Sequence, residues 1–242
     1  SLSPSDLHPK ENHTFSLPLG LTQWAVESPL CFNIFVEDLV PELSRRDLGV
    51  PTPFGKVAIL LFADDMVLLA PSAAETRVLL QVVDAYLRRW RLKLNPSPKT
   101  MWMCVGAVPR DRIRVSSLRF YCNGHWLEKT DSYTYLGVLF NSSLDWKEQA
   151  VSTAHKARRA LFMVKRLCST AGEKTSPRAF ITIYKALVRP IMEYAAPVWS
   201  PSLTRHSLRL LEGVQNEAIR WALRAPVRIP AVAIRLELGL PS

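Results

Sequence analysis

The pattern of apolar and polar positions changes character once along this chain of 242 residues. In the first part, two short apolar runs between 56 and 70 flank Ala63, Asp64 and Asp65. Apolar runs of this length, interrupted by a polar turn, predict a buried β-hairpin with the two acids at its tip. Further strands are predicted at 100–105, 118–128 and 133–140, with Asn123-Gly124 as a turn.

Two helices are predicted beside these strands. Residues 29–43 have apolar positions at partly helical spacing, with Pro29 in the first turn and Ser28 as the cap, and a loop follows over 44–56. After the hairpin, Ser72 and Glu75 have the spacing of a capping box. The helix that they begin has apolar residues at i, i+3 and i+4 spacing: Val78, Leu79, Val82, Val83, Tyr86, Leu87 and Trp90.

From about residue 147 the pattern is helical throughout. The first predicted helix has an inward stripe of Ala154, Ala157, Leu161, Val164 and Leu167. A second is predicted over 177–195, with a kink or an end near Pro190, and a third over 204–224. The inward residues of the third are Leu208, Leu211, Val214, Ala218 and Leu223, and a short amphipathic stretch follows at 231–238.

These patterns together predict an α+β fold. Residues 1–18 show little periodicity and are expected to be a disordered lead-in. A mixed unit is expected over 19–146, and a basic helical region over 147–242.

The net positive charge lies entirely in the helical region. The chain carries +10 at neutral pH, and residues 151–242 hold 15 lysines and arginines against five acids. Such a region suggests a polyanion partner, most simply a nucleic-acid backbone, and a solvated basic surface is the alternative. The basic face of the first helix in this region comprises Lys156, Arg158, Arg159, Lys165 and Arg166.

Several other classes of protein are disfavoured. No apolar run approaches the roughly 20 residues that a membrane helix needs, and no signal peptide is visible. The four cysteines lack metal-binding spacing and are typical of reduced thiols in an intracellular protein. No nucleophile–base pair, Gly-rich phosphate loop or histidine cluster suggests a hydrolase.

Asp64 and Asp65 are the sharpest chemical feature of the sequence. Two adjacent carboxylates between apolar strands repel each other and need a neutralising partner. A divalent ion such as Mg²⁺ is the natural candidate, because it takes carboxylate oxygens together with water and phosphate oxygens. An ordinary acidic turn is the alternative.

Phe62-Ala63-Asp64-Asp65 resembles the F/Y-x-D-D box of reverse transcriptases. Other stretches resemble the same family, and they occur in the family's order. These are 20–39, which is similar to the segment upstream of the box, Leu92–Asn95 with Lys99-Thr100 (L-N-x-x-K-T), Tyr135–Gly137 (the Y-L-G primer grip), 183–199 (the thumb of LINE-type enzymes) and 237–241 (the end of that region). Over roughly 18–242 the chain therefore resembles the reverse transcriptase of non-LTR (LINE-like) retrotransposons.

The resemblance implies a partial polymerase palm over 19–146, with a β-hairpin active site and packed helices, followed by an α-helical thumb over 147–242. Asp64 and Asp65 would be the catalytic metal ligands of an RNA-directed DNA polymerase that uses two Mg²⁺ ions. The implied partners are an RNA template, a DNA primer duplex and deoxynucleotide triphosphates, with no membrane. Nucleotide and template would meet Gln23, Phe62 and Lys99, the primer would meet Tyr135, Leu136 and Gly137, and the basic face would meet the duplex backbone.

The sequence also departs from the family pattern. No strand-borne Asp and no fingers region precede the motifs, since Asp6 and Glu11 are the acids ahead of residue 20. The family's Pro-Gln-Gly is Thr22-Gln23-Trp24, and one extra residue shifts Lys99. We therefore expect a polymerase fragment that is inactive alone. The alternatives are a non-catalytic nucleic-acid-binding remnant and the unfolded product of a dead element. Reverse transcription primed on chromosomal DNA would be nuclear.

Overall fold

A computed structural model describes residues 28–95, 97–106, 115, 117–170, 175–226 and 229–230. Within these residues the fold is a mixture of α-helices and small antiparallel sheets, which confirms the α+β class. The elements are α1 (Ser28–Val36), α2 (Leu39–Ser44), β1 (Val50–Thr52), β2 (Gly55–Val57), β3 (Ile59–Phe62), β4 (Asp65–Leu68), α3 (Ala73–Arg89), β5 (Met101–Trp102), β6 (Phe120–Cys122), β7 (His125–Lys129), β8 (Ser132–Tyr135), β9 (Val138–Asn141), α4 (Lys147–Thr170), α5 (Pro177–Leu187), α6 (Arg189–Glu193), α7 (Ala196–Trp199), the 3₁₀ turn Ser200–Ser202, and α8 (Arg205–Leu223).

The backbone forms two compact units. The first holds the described residues up to Thr100 together with Leu118–Glu128, and the second holds the described residues within 101–117 and from Lys129 onward. The sequence boundary near 147 stays a prediction, as does the lead-in over 1–18, which lies outside the described residues.

The N-terminal segments of the first unit differ from the prediction. The single helix expected over 29–43 is two helices, α1 and α2, which are separated at Glu37-Asp38. The expected loop over 44–56 contains a small hairpin, β1–β2. Its turn is closed by Thr52 Oγ1, which donates a 2.6 Å hydrogen bond to the carbonyl of Gly55. The two prolines flanking Thr52 concealed the strand pattern, because proline is tolerated in edge strands and turns.

Helix α3 begins where the capping signal predicted. Ser72 Oγ accepts a hydrogen bond from the backbone N–H of Glu75, at 3.2 Å. In a full capping box the Glu75 carboxylate would accept a hydrogen bond from the N–H of Ser72. Here it accepts instead from the N–H of Gly49, at 2.5 Å. Gly49 has φ 113°, and a Cβ there would lie 2.5 Å from the backbone of Val57 and Ala58, so this position requires glycine.

The buried face of α3 is close to the predicted one but is rotated. Val78 and Trp90 were expected inside and are partly exposed, whereas Leu80 is buried. The reason is that α3 packs against both α2 and β6, and Leu80 lies on the β6 side, where its carbonyl is 3.9 Å from Cys122 Sγ. The β6–β7 hairpin turns at Asn123-Gly124, as predicted, with positive φ at both residues.

In the second unit, α4, α5 and α8 pack around one apolar core. Its largest fully buried members are Phe180, Tyr184, Leu161, Ile219, Val188 and Val214. Leu167 and Leu208 were predicted to face inward and are exposed. The inward stripe of α4 continues from Val164 to Cys168, because a 3.6-residue repeat drifts past Leu167. In the first turn of α8, Ser207 is buried in place of Leu208, and it hydrogen bonds to the N-cap Thr204.

Two local predictions about this unit are resolved. The helix expected to break near Pro190 does so: α5 ends at Leu187, and α6 carries Pro190 in its first turn. The single strand expected over 133–140 is instead the hairpin β8–β9, because Leu136 and Gly137 both adopt positive φ and reverse the chain. Among the described residues, no helix is long and apolar enough to span a membrane.

Candidate catalytic hairpin and nucleic-acid-binding helices

The acidic motif lies at the tip of the β3–β4 hairpin. The strands pair antiparallel, with Phe62 opposite Asp65 and Ala63-Asp64 as the turn. The ladder is extended by the N–H of Leu69, which donates to the carbonyl of Ala58 at 2.8 Å. Ala63 has φ 50°, a left-handed conformation that costs roughly 1–2 kcal/mol for a residue with a Cβ. The two-residue turn thus holds both carboxylates at the end of a paired ribbon.

The hairpin is present as predicted, but the prediction that it is buried is wrong. Phe62 is 62% exposed, Leu60 is also exposed, and both aspartates are open to solvent. The physical reason is that no described helix packs extensively against either strand. Asp64 and Asp65 therefore need no counter-ion to offset burial, and the features of this tip that favour a metal are its carboxylate oxygens and their accessibility.

The donor chemistry of this tip fits a hard divalent cation. Carboxylate oxygens suit Mg²⁺, which is commonly held by one or two carboxylates together with water and phosphate oxygens. Within the part of the chain that the structure describes, no group of three or more His, Cys, Asp or Glu residues is placed to hold a metal. Metal binding by Asp64 and Asp65 therefore stays a prediction.

Of the residues predicted to contact the nucleotide, the structure describes Phe62 and Lys99. Phe62 lies across the hairpin from Asp65, on the same face. Lys99 is exposed in the loop between α3 and β5, where Thr100 Oγ1 donates to the carbonyl of Asn95 at 2.5 Å. Gln23 lies outside the described residues, as do Trp24 and the 237–241 stretch. The roles of Gln23 and Lys99 stay predictions.

The Y-L-G motif forms the turn of the β8–β9 hairpin. Tyr135 ends β8, Leu136 and Gly137 form the turn, and their φ angles are 46° and 77°. The backbone N–H of Leu139 donates to Gln149 Oε1 at 2.9 Å, which ties the hairpin to α4. Val138, Trp146 and Trp199 pack together beneath it, with Phe140 edge-on to Trp146. The Y-L-G turn is thus supported by a packed apolar cluster.

Tyr194 is a residue of this site that sequence reasoning missed. Its hydroxyl donates a hydrogen bond of 2.8 Å to the carbonyl of Leu136, and its ring lies against Gly137. The carbonyl of Tyr194 accepts from the indole N–H of Trp199, at 2.9 Å. Tyr194 belongs to a stretch that the resemblance singled out, but no local pattern reveals a contact between residues 58 positions apart.

The five basic residues predicted on α4 are not equivalent. Lys156, Arg159 and Arg166 are exposed. Lys165 pairs with Glu217 of α8 at 2.6 Å, which neutralises its charge and removes most of its side chain from solvent. Arg158 is half-buried, and its Nη2 lies 3.5 Å from the carbonyl of Leu210. Contact of these residues with a nucleic-acid backbone stays a prediction, and Lys156, Arg159 and Arg166 are the more accessible members.

Comparison with known proteins gives the family. The sequence profile described as "Reverse transcriptase (RNA-dependent DNA polymerase)" matches residues 7–140. The chain is 28% identical to the RNA-directed DNA polymerase from mobile element jockey of Drosophila funebris, over 92% of this chain and 24% of that protein. It is 30% identical to the Pol polyprotein of the type-1 retrotransposable element R2 of Popillia japonica, over 51% of this chain and 21% of that protein.

A third relative is the probable RNA-directed DNA polymerase from transposon X-element of Drosophila melanogaster, which is 24% identical over 83% of this chain and 21% of that protein. The chain thus spans about a quarter or less of the length of these relatives. The profile match covers more than half of the chain and includes the acidic hairpin. The resemblance is therefore confirmed: this chain belongs to the reverse transcriptase (RNA-dependent DNA polymerase) family, and its relatives are proteins of non-LTR retrotransposons.

Proposed function

We propose that this chain is the part of a non-LTR retrotransposon's RNA-directed DNA polymerase that carries the metal-binding hairpin and the helices that hold the primer–template duplex. The observation that supports it most is the solvent-open tip where Asp64 and Asp65 stand beside Phe62, within the family match. Its substrates would be an RNA template, a primer with a 3′-hydroxyl and deoxynucleotide triphosphates. In this assignment the β3–β4 hairpin and α1–α3 belong to a partial palm, and α4–α8 belong to a thumb.

Each predicted residue has a role in this proposal. Asp64 and Asp65 would bind Mg²⁺, which would neutralise triphosphate oxygens and the attacking 3′-oxygen in an in-line displacement. Phe62, on the face it shares with Asp65, would lie against the primer terminus. Gln23 and Lys99 would meet the nucleotide and template, the Tyr135–Gly137 turn would hold the primer, and the exposed cations of α4 would contact phosphates.

We also propose that the 242 residues alone do not extend a primer. Phosphoryl transfer by two Mg²⁺ ions needs a further carboxylate beside this pair, because two adjacent carboxylates and the substrate's phosphates hold the ions too loosely for catalysis. The described residues bring no third carboxylate to Asp64 and Asp65. Incubation of the chain with a primer on an RNA template, Mg²⁺ and nucleotides should therefore give no extended product. Extension that requires Asp64 would contradict this part of the proposal.

Metal binding at the hairpin can be tested without catalysis. Fe²⁺ occupies many Mg²⁺ sites, and with added ascorbate and hydrogen peroxide it generates hydroxyl radicals that cut the backbone beside the bound ion. In the presence of a primer–template and a nucleotide, we expect cleavage next to Ala63, suppressed by excess Mg²⁺ and abolished by Asp64→Asn with Asp65→Asn. Asp131→Asn is the matched control, because Asp131 is also an exposed aspartate in a turn next to a strand. Cleavage that is absent at the hairpin, or that survives the double substitution, would overturn the metal assignment.

A second function is favoured by a separate observation, the concentration of positive charge in residues 151–242. A remnant that binds nucleic acid without catalysis would use that charge alone. Its duplex binding would be salt-sensitive and would survive Asp64→Ala with Asp65→Ala. Loss of the same binding in Lys156→Gln with Arg159→Gln would assign it to α4, whereas duplex binding that does not depend on salt would exclude this second function.

A further inference from the structure

The outward face of α4 carries an open groove next to its basic residues. It is open to solvent, has a volume of about 480 Å³, and is lined by His155, Arg158, Arg159, Phe162 and Met163. These residues follow the i, i+3, i+4, i+7, i+8 spacing of one helix face. That face is distinct from the inward stripe that contains Ala157, Leu161 and Val164. The residues that line the groove therefore all come from one helix.

Two apolar side chains stand in this cationic setting. Phe162 is 59% exposed and Met163 is 56% exposed. Exposed apolar surface is costly in water, and single scattered residues are common, but here an aromatic and a thioether lie together between cations. A duplex backbone presents phosphates and sugars and would leave the phenyl ring uncovered. An unstacked base presents a flat apolar face that would cover it.

The charge around the groove is of one sign along the helix. From Gln149 to Thr170, α4 contains no acidic residue. Arg159 is exposed, and Arg158 is held towards α8 by its contact with the carbonyl of Leu210, which leaves other guanidinium N–H groups available. Lys165, whose charge is neutralised by Glu217, does not line the groove. The groove thus combines guanidinium groups that can donate hydrogen bonds to phosphates with an aromatic ring on which a nucleobase can stack.

We propose that this groove binds single-stranded nucleic acid, with an unpaired base stacked on Phe162 and the adjoining phosphates on Arg158 and Arg159. The inference rests on the proposed function only in taking nucleic acid as the chain's partner. It places on α4 a contact with an unpaired strand, in addition to the phosphate contacts proposed for the duplex. Aromatic stacking beside a basic track is the chemistry by which proteins hold single strands without sequence preference.

The test compares single-stranded and duplex binding by the full chain. Fluorescence anisotropy with a labelled oligonucleotide of about 12 nucleotides, and with the same strand in a duplex, measures both affinities. Phe162→Ala should weaken single-strand binding by about tenfold, the cost of losing one base–aromatic stack, and should leave duplex binding within about twofold. Phe162→Trp should retain binding, whereas Phe162→Leu should lose it, because leucine keeps apolar volume and lacks a ring.

Leu167→Ala is the matched control, since Leu167 is 65% exposed on the same helix and does not line the groove. A 5-iodouracil oligonucleotide should also crosslink to Phe162 on irradiation. The proposal is overturned if Phe162→Ala binds the single strand as the unsubstituted chain does, or if Leu167→Ala loses as much. If the proposal is overturned in this way, an acidic protein segment becomes the next candidate to bind the groove.

This outcome is separable from that of the proposed function. Asp64→Ala with Asp65→Ala removes the proposed metal site and leaves the groove, so single-strand binding should persist in that variant. Metal-directed cleavage that fails while Phe162-dependent binding holds would refute the polymerase assignment alone. Cleavage that holds while Phe162→Ala has no effect would refute the groove alone.

Discussion

The hydroxyl of Tyr194 donates a hydrogen bond of 2.8 Å to the carbonyl of Leu136, which lies 58 residues earlier in the chain. Leu136 is at the turn of the β8–β9 hairpin, in a left-handed conformation. Tyr194 follows α6 and is itself held by Trp199, whose indole N–H donates to its carbonyl. The direction in which the Y-L-G turn points is therefore fixed by the helical segment around Tyr194.

Removing the Tyr194 hydroxyl should loosen this turn. Because the bond is partly exposed and water can replace it, Tyr194→Phe should lower the free energy of unfolding by about 1 kcal/mol. Urea denaturation followed by far-UV circular dichroism measures this change. Tyr121→Phe is the control, because Tyr121 is similarly exposed and its hydroxyl makes no hydrogen bond within the described residues. Equal stability losses in the two variants would show that the Leu136 contact contributes nothing specific.

Gly137 gives a second measurement of the same contact. A Cβ at Gly137 would lie 3.2 Å from Tyr194 Cε1, and its φ of 77° is strained for other residues. Gly124, with φ 87°, faces open space at the equivalent place of the β6–β7 turn. Both alanine variants should lose roughly 1–2 kcal/mol from backbone strain. Gly137→Ala should lose more in thermal and urea unfolding, and a Gly124→Ala loss as large would contradict the close contact.

Local signals explain which parts of this structure the sequence could predict. Ser72 begins α3, Asn123-Gly124 makes a turn and Pro190 ends a helix because each acts within a few residues of itself. The Asp64-Asp65 hairpin was predicted for the same reason, since two apolar runs and a short turn suffice.

The predictions that failed concerned residues whose environment depends on tertiary packing. The exposure of Phe62 could not be predicted. Apolar strands suggest that another element packs over them, but the strands themselves do not show whether such an element is present. Leu167 was misplaced by one residue because the face of α4 that meets α5 and α8 decides which leucine is inside. Tyr194 was missed because a hydrogen bond between segments so far apart leaves no periodic trace.

The carboxyl of Asp145 should make stability depend on pH in acid. The backbone N–H of Lys147 donates to Oδ1 at 3.1 Å and the Ser143 hydroxyl to Oδ2 at 3.0 Å; these bonds lower the pKa of Asp145 from its ordinary 3.8. Because the folded pKa lies below the unfolded one, this stabilisation is present above 3.8 and is lost as pH falls through the folded value.

Asp145→Asn keeps an oxygen acceptor and removes the titrating charge. It should be less stable than the unsubstituted chain at neutral pH, and the gap should close as pH falls below 3.8. Urea midpoints measured from pH 7 downward give this gap directly. Asp131→Asn, at another exposed aspartate, serves as the control for removing a surface carboxylate. A gap for Asp145→Asn that is constant across the range would rule out the titration as its cause.

Thiol reactivity should separate Cys31 from Cys122. Cys31 is exposed, whereas Cys122 is buried, and burial raises the pKa of the Cys122 thiol to about 11. At pH 8, iodoacetamide should alkylate Cys31 rapidly and should reach Cys122 only at the rate of unfolding, because the thiolate is the nucleophile. Peptide mass spectrometry over time resolves the two sites, with alkylation in urea as the fully reactive reference. Equal rates in native buffer would favour the unfolded product of a dead element.

The hydrogen bond between the N–H of Gly49 and the carboxylate of Glu75 joins residues 26 positions apart. Both small hairpins, β1–β2 and β3–β4, lie between these two residues. The hydrogen bond therefore closes a backbone loop that contains the acidic tip. We expect changes at the tip of this loop to leave the start of α3 in place, whereas changes near Val57 and Ala58 would disturb the packing on Gly49. The acidic motif is therefore carried at the tip of a backbone loop that is closed by Gly49 and Glu75.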